Sequence, residues 1–261
     1  MGMGTGIDPT DPTPAYLQIA GDLRAAIAEG RYSDQAPLPS IAELRRQYGT
    51  SDGPVKQAIR QLVNEGLVVT RKGRGAFVRK PRRLQRFGSR RHLPGTKAGK
   101  APLEAEAEQQ TMRRDQQVLS VDRIPAPAEI AERLGIDPGT QVLVRRHLLS
   151  LDGTPAQLAD SHFPLDLVED TLIAAPAAAG PITGGVHAAL SALGLELDHF
   201  REEWVARMPM PYETRALRLA AGTPVLRLLR TLYATDGRPL EVSDFRLAGD
   251  LHQLVYDVPA R

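Results

Sequence analysis

Residues 71–80 read RKGRGAFVRK, with five cationic side chains and two glycines followed by an apolar Ala-Phe-Val. Charge at that density, on a bend whose glycines let the backbone approach a surface closely, suits contact with a polyanion such as a phosphate backbone. A second set lies just upstream. Gly53, Lys56, Gln57 and Arg60 recur at i, i+3, i+4 and i+7, so a helix there presents one outer face without a carboxylate and with long donors. Catalytic patterns are missing by comparison. No Gly-x-Ser-x-Gly elbow or P-loop occurs, and the six histidines show no paired metal-ligand spacing. The chain holds no cysteine, which excludes disulfides, thiol nucleophiles and thiolate metal sites. No cofactor, metal or catalytic residue is expected.

The net charge of +2 over 261 residues hides a strong asymmetry. Residues 31–100 hold 17 Lys and Arg against 4 Asp and Glu, whereas the rest of the chain holds 16 against 27. Segregation of this kind fits one half that meets nucleic acid and another that does not. With 42% hydrophobic residues the chain has material for two cores. It carries no apolar run of membrane-spanning length and no charged-then-apolar leader, so a cytoplasmic location without membrane association is expected.

The elements that must position these residues are legible from caps and periodicity. A Gly, Pro and Thr-rich opening, residues 1–13, reads as a mobile tail. PAYLQIAGDLRAAIAEG then carries an apolar helical stripe, Leu17, Ala20, Leu23 and Ile27, with Pro14 in its first turn and Gly30 at its end. In LPSIAELRRQYG, Ser40 and Glu43 make a capping box before a short helix that stops at Gly49. Ser51 or Asp52 can cap a third helix, which buries Val55, Ala58, Ile59 and Leu62 and tolerates Pro54 in its first turn. LVVT and AFVRK then read as two strands around RKGRG, with Phe77 and Val78 pinning the hairpin and Arg71, Lys72 and Arg74 projecting from its tip beside Gly73 and Gly75. Two short helices around a tight turn, the second basic outside, followed by a basic hairpin, describe a winged helix-turn-helix over 14–80. Residues 81–116 pass from basic to acidic and read as a connector, in which Arg82, Arg83, Arg86, Arg90 and Arg91 can add phosphate contacts.

The remaining residues, 117–261, contain a repeat. Residues 128–161 and 213–245 each run through a short helix, a Gly-Thr-x-Val-Leu entry to a strand, an Asp-Gly turn, a Pro and a second strand. Each copy has a lead-in strand, QQVLSVDRI or REEWVARM. Two such units sharing one antiparallel sheet give an α+β domain, with PITGGVHAALSALGLEL between them as a loop entering a helix. Trp204 reads as a core residue.

PAYLQIAGDLRAAIAEGRY, LPSIAEL, the helix at 55–65, EGLV and RKGRGAFV resemble the N-terminal domain of GntR-type transcriptional regulators. The chain departs from that pattern at Ala42, where the family often has Arg. It departs again in Ser51-Asp52-Gly53-Pro54-Val55-Lys56, where the family usually has Ser-Arg-Thr-Thr-Val-Arg. Asp52 is expected to act as a cap or to meet a cytosine amino group. The resemblance implies DNA binding by Ser40, Ser51, Asp52, Gly53, Lys56, Gln57, Arg60, Arg71, Lys72, Gly73, Arg74 and Gly75.

VLVRRHLLSLDGTPAQLADSHFPLDL, PITGGVHAAL and EEWVARMPMP resemble the effector-binding domain of the HutC branch of these regulators, the UTRA domain, whose fold is shared with chorismate lyase. The resemblance implies a small-molecule pocket and pairing with a second subunit. Candidate pocket residues are Arg145, Arg146 and His147 on one strand, with Arg145 and His147 sharing a face and Arg146 on the other. Thr183, Gly184, Gly185 and His187 at a helix start, and Glu203 and Glu241 on strands, complete the set. Ala159 and Gly185 stand where the family often has Glu and Ser, which points to a larger or more apolar effector. The expected function is a dimeric repressor on an inverted-repeat operator in double-stranded DNA, released by a small molecule. The alternative is a chorismate-lyase-like enzyme tethered to a DNA-binding domain.

Overall fold

A computed structural model describes residues 6–79, 82–87 and 102–257. The chain divides into two compact units, one comprising the residues up to Arg82 together with Leu219–Thr223, the other the remainder.

The first unit holds α1 (Ala15–Ala28), α2 (Ile41–Tyr48), α3 (Asp52–Asn64), β1 (Val68–Arg71) and β2 (Gly75–Val78). The Ser40 capping box forms as expected: Ser40 Oγ accepts from the Glu43 amide, and the Glu43 carboxylate accepts the Ser40 amide at 2.7 Å. Gly49 ends α2 in the left-handed conformation, φ 60°, where a side chain would be strained. At α3 the outcome differs from the expectation. Ser51 occupies the N-cap but makes no side-chain cap bond, and Asp52, already the first helical residue, turns its carboxylate to Arg45 and Lys56. The core is formed by Ile19, Leu23, Leu44, Val55, Leu62, Val68 and Val78, all buried. Burying each such aliphatic side chain contributes about 1.5–3 kcal/mol, which holds three short helices that could not persist alone. Within α1, Ile19 and Ala26 are buried while Leu17 is only partly so. Residues 6–13 are tied down: Ile7 packs on the core, and the Asp8 amide donates to Gln18 at 2.9 Å. The mobile tail expected there is therefore anchored over its described part.

The second unit opens with β3 (Leu84–Phe87) and α4 (Pro102–Gln109). Both lie within the stretch read as a connector. β3 pairs in parallel with β10 (His252–Val255) at the far end of the chain, and Leu84 is fully buried. A four-residue strand has too few positions to display a period, which is why the sequence reads as irregular there.

The body of this unit is built from β4 (Arg114–Pro125), α5 (Ala128–Leu134), β5 (Gln141–Leu151), β6 (Thr154–Pro164), α6 (Leu165–Val168), α7 (Gly185–Ala192), β7 (Leu197–Arg207), α8 (Pro211–Ala216), β8 (Val225–Ala234) and β9 (Pro239–Ala248). Six strands form one antiparallel sheet in the order β4-β5-β6-β9-β8-β7. The repeat read from the sequence is thus two strand–helix–hairpin units joined at β6 and β9, an α+β fold. Asp152-Gly153 makes the first hairpin turn with both residues at positive φ.

Strand alternation gives the sheet two unlike faces. One packs on α5 through Ile130, Ala131, Leu134, Val142, Leu229 and Val242. The other is covered by the 165–192 segment through Leu143, Phe163, Val168, Ile173, Leu190 and Leu232. The α5 face also carries a chain of ion pairs across the strands. Asp122 meets Arg146 at 2.6 Å, Arg246 meets Asp160 at 3.1 Å, Arg227 meets Asp244 at 3.0 Å and Glu129 at 2.6 Å, and Arg133 meets Glu203 at 3.0 Å. Asp160 and Asp244 stand directly opposite each other, a repulsive arrangement that Arg246, close to both, offsets.

Candidate functional site

In the first unit, α3 and the β1–β2 hairpin each leave their basic residues exposed. Gly53, Lys56, Gln57 and Arg60 are exposed on α3, whose opposite face is in the core. Lys72, Gly73, Arg74 and Gly75 are exposed at the wing tip, where Gly73 and Gly75 take φ values of 72° and 100°. These conformations suit glycine and leave the backbone bare at the tip. Arg71 is exposed as well, but its side chain is tethered. Its guanidinium stacks on the Phe77 ring at 4.5 Å and donates to the Gln35 side chain, so it braces the wing. A groove of about 920 Å³ lies between the N-terminus of α2 and the wing, with Leu38, Ile41 and Ile59 in its floor and Ser40, Arg71 and Arg74 at its edge. The arrangement offers one element for a major groove and a flanking cationic loop for the adjacent backbone.

Of the connector arginines, Arg82 and Arg83 are exposed, but Arg83 donates to the Asp250 carbonyl at 3.3 Å. Arg86 is buried and reaches Gln157, so it has no access to a phosphate. Arg90 and Arg91 lie outside the described residues.

In the second unit the predicted pocket residues divide between the two sheet faces. Arg145, His147 and Glu241 are on the face covered by 165–192, and His187 of α7 packs over that face against Phe200, with ring centroids 4.9 Å apart. Arg146 and Glu203 are on the α5 face, spent in the ion-pair chain with Asp122 and Arg133. A shift of one residue along a strand moves a side chain through the sheet, which separates Glu203 from Glu241. Arg145 is fully buried and donates to the carbonyls of Ile173, Ala175 and Gly180 at 2.8–3.1 Å; it fastens the covering segment to the sheet. Thr183 is exposed, and the Gly185 amide is taken by the Ile182 carbonyl in the turn that starts α7.

The register also gathers residues that the sequence reading passed over. Ser161 Oγ and Ser243 Oγ lie 2.6 Å apart at the join of the two repeats, and Ser243 donates to the Glu241 carboxylate. Arg230 lies beside Ser243 on the next strand, pairs with Glu202 at 2.6 Å and sits over the Phe200 and Phe245 rings. Trp204 is only half-buried, and its indole N–H donates to Glu202 at 3.2 Å, so it belongs to this cluster rather than to the core. The repeat gave no signal for this pair: aligned on their Asp-Gly turns, Asp160 matches Asp244, whereas Ser161 matches Phe245 and Ser243 matches Ala159. Burial holds the His187 imidazole below its ordinary range against the opposing pull of Glu241. It pushes His147 down to about 4, with Arg145 adding to the effect. The cluster thus gathers a carboxylate, hydroxyls, a paired guanidinium and aromatic faces on the covered side of the sheet. Among the described residues no group of side chains could hold a metal ion, and no helix is long and apolar enough to cross a membrane.

Comparison with known proteins bears on both sites. Residues 15–78 match the model for bacterial regulatory proteins of the gntR family, and residues 109–253 match the UTRA domain. An HTH-type transcriptional regulator of Streptomyces coelicolor is 31% identical over 94% of this chain and 92% of its own. The HTH-type transcriptional repressor NagR of Bacillus subtilis is 25% identical over 96% and 97%. Among solved structures, a GntR-family transcriptional regulator superposes with a TM-score of 0.66 at 32% identity, covering 95% of this chain and 99% of that one. The winged helix and the antiparallel sheet fall on the two matched segments, and the chain belongs to the gntR family of bacterial regulatory proteins, as a ligand-responsive, DNA-binding transcriptional regulator with a UTRA domain.

Proposed function

We propose that the protein is a dimeric repressor that holds a two-fold-related DNA site through α3 and the wing and leaves it when a small molecule binds the covered face of the six-stranded sheet. The observation that carries this reading is the exposed set Lys56, Gln57, Arg60, Lys72 and Arg74 on the third helix and wing of a helix-turn-helix core. Gly53 and the wing glycines add close approach, and Ser40 and Ser51 stand exposed at the helix starts, Ser40 lining the groove beside the wing. Arg71 contributes by bracing the wing.

The effector site is assigned to Glu241, His187, Ser161, Ser243, Arg230 and Glu202, with Arg145 and His147 shaping it from β5 and Thr183, Gly184 and Gly185 forming its rim. A ligand that binds one arrangement of the pair better than the other shifts the population by its differential affinity, and DNA affinity falls in proportion. Pairing with a second copy is supported by β7 standing at the edge of the sheet among the described residues and by the exposed Val205, Met208 and Met210 at its end. The chain catalyses no reaction in this reading.

Selection of bound sequences from randomised duplex DNA at two salt concentrations tests it. Enrichment of an inverted repeat, with affinity falling as salt rises, is the expected result. Salt-sensitive binding without any enriched sequence would reduce the basic unit to a non-specific tether. With an operator in hand, a metabolite panel scored for release of DNA identifies the effector. Turnover of a metabolite in that screen would overturn the non-enzymatic reading.

A further inference from the structure

Asp52 is the one acidic side chain in the first turn of α3 and lies on the same side of the helix as Lys56 and Arg60. Its carboxylate is 48% exposed. It does not cap the helix, since Asp52 is itself the first helical residue and the N-cap Ser51 makes no side-chain cap bond. Its partners are cations at long range, Arg45 Nη1 at 3.6 Å and Lys56 Nζ at 3.5 Å. Both distances exceed those of a charge-assisted hydrogen bond, so the oxygens keep acceptor capacity for a further donor. The two cations also leave the trio with a net positive charge, which offsets repulsion between a carboxylate and nearby phosphates. The next two positions add no reaching side chain. Gly53 is exposed, and a Cβ there would meet only Ser51 Oγ, at 3.9 Å; Pro54 follows. The start of α3 can therefore approach base edges closely, with Asp52 as its first charged group, next to the short Ser51.

A carboxylate only accepts hydrogen bonds. In the major groove the donors are the exocyclic amines of cytosine and adenine, and adenine sets an N7 acceptor beside its amine, whereas guanine and thymine present acceptors. We infer that Asp52 is a specificity-determining residue that selects cytosine, and rejects guanine, at one base of each half-site, held in place by Arg45 and Lys56. The inference rests on the proposal that α3 enters the major groove. It implies a half-site whose base under the N-terminus of α3 is read by an acceptor and not by an arginine.

The test compares the wild-type chain with Asp52→Ala and Asp52→Asn by the same selection from randomised DNA, followed by fluorescence polarisation on every single-base-pair variant of the enriched site. Thermal melting of each protein checks that it is folded. For the wild type, replacing the selected C·G pair by G·C is expected to weaken binding on the order of tenfold or more. Asp52→Ala should lose preference at that position alone, and Asp52→Asn should move it toward adenine. If Asp52→Ala selects the wild-type sequence at every position and only its overall affinity changes, Asp52 sets local charge and the inference is overturned. If the wild type itself enriches no sequence, the major-groove reading of α3 fails first, and this inference falls with it.

Discussion

Arg60, Lys72 and Arg74 of the first unit stand exposed on a surface with few carboxylates, whereas Arg146, Arg207, Arg227 and Arg246 of the second each lie 2.6–3.1 Å from one. The residue types are the same and the consequences differ. An exposed cation keeps its hydration and its counterions, and it gains free energy when a polyanion displaces those counterions. A guanidinium confined against a sheet has lost much of its water and is tolerable only where carboxylates and carbonyls replace it. Arg246 illustrates the second condition. Burial alone would lower its proton affinity, yet Asp160 and Asp244 beside it raise it above the usual value. The near-neutral total of the chain thus conceals two separate uses of charge, recognition in one unit and construction in the other.

Removing one partner from the constructed charges should have the largest effect. Glu213 is fully buried, and its carboxylate takes both Arg207 nitrogens at 2.7 Å, the Met210 amide at 2.7 Å and the Tyr212 hydroxyl at 3.1 Å. Glu213→Gln is expected to lower the unfolding free energy by about 3 kcal/mol, since it leaves the facing guanidinium incompletely paired. Urea denaturation measures it, and the salt dependence of DNA binding should not change. The pH profile sharpens the point. Burial alone would raise this carboxyl, but Arg207 and the Met210 amide outweigh it and hold it below the ordinary 4.5. A depressed folded value means that the stabilisation is present above about pH 4.5 and is lost as pH falls through the folded value. The gap between wild type and variant should therefore close in acid.

The recognition charges should respond in the opposite way. Lys72→Ala combined with Arg74→Ala is expected to leave urea stability within about 0.5 kcal/mol, as for exposed surface sites. It should weaken operator binding on the order of tenfold and flatten the slope of log K against log salt by about 2. An unchanged slope in a binding titration would remove the wing from the interface.

The smallest effect separates two serines that look alike in the sequence. Ser40→Ala breaks the capping box of α2 and should cost about 1 kcal/mol. Ser51→Ala removes a hydroxyl that makes no cap bond and should cost less than about 0.5 kcal/mol. Equal losses for the two in denaturant melts would contradict the capping geometry.

What the sequence determined by itself is local. Ser40 with Glu43, Gly49, the glycines of the wing and Asp152-Gly153 each settle their backbone within a few residues, so helix starts, turns and the duplicated strand–helix–hairpin order can be read directly. Tertiary structure decided what depends on partners far along the chain. Pairing across β6 and β9 set Ser161 against Ser243, and strand parity sent Glu203 to Arg133 and Glu241 toward His187. Arg145 had the right type and the right strand for a ligand contact, but the carbonyls of Ile173, Ala175 and Gly180 reached it first. β3 found its partner only in β10. The physical reason is common to all of these. Hydrogen-bonding capacity and charge are written in each residue, but the group that satisfies them is chosen by register and burial, which exist only once distant segments have met.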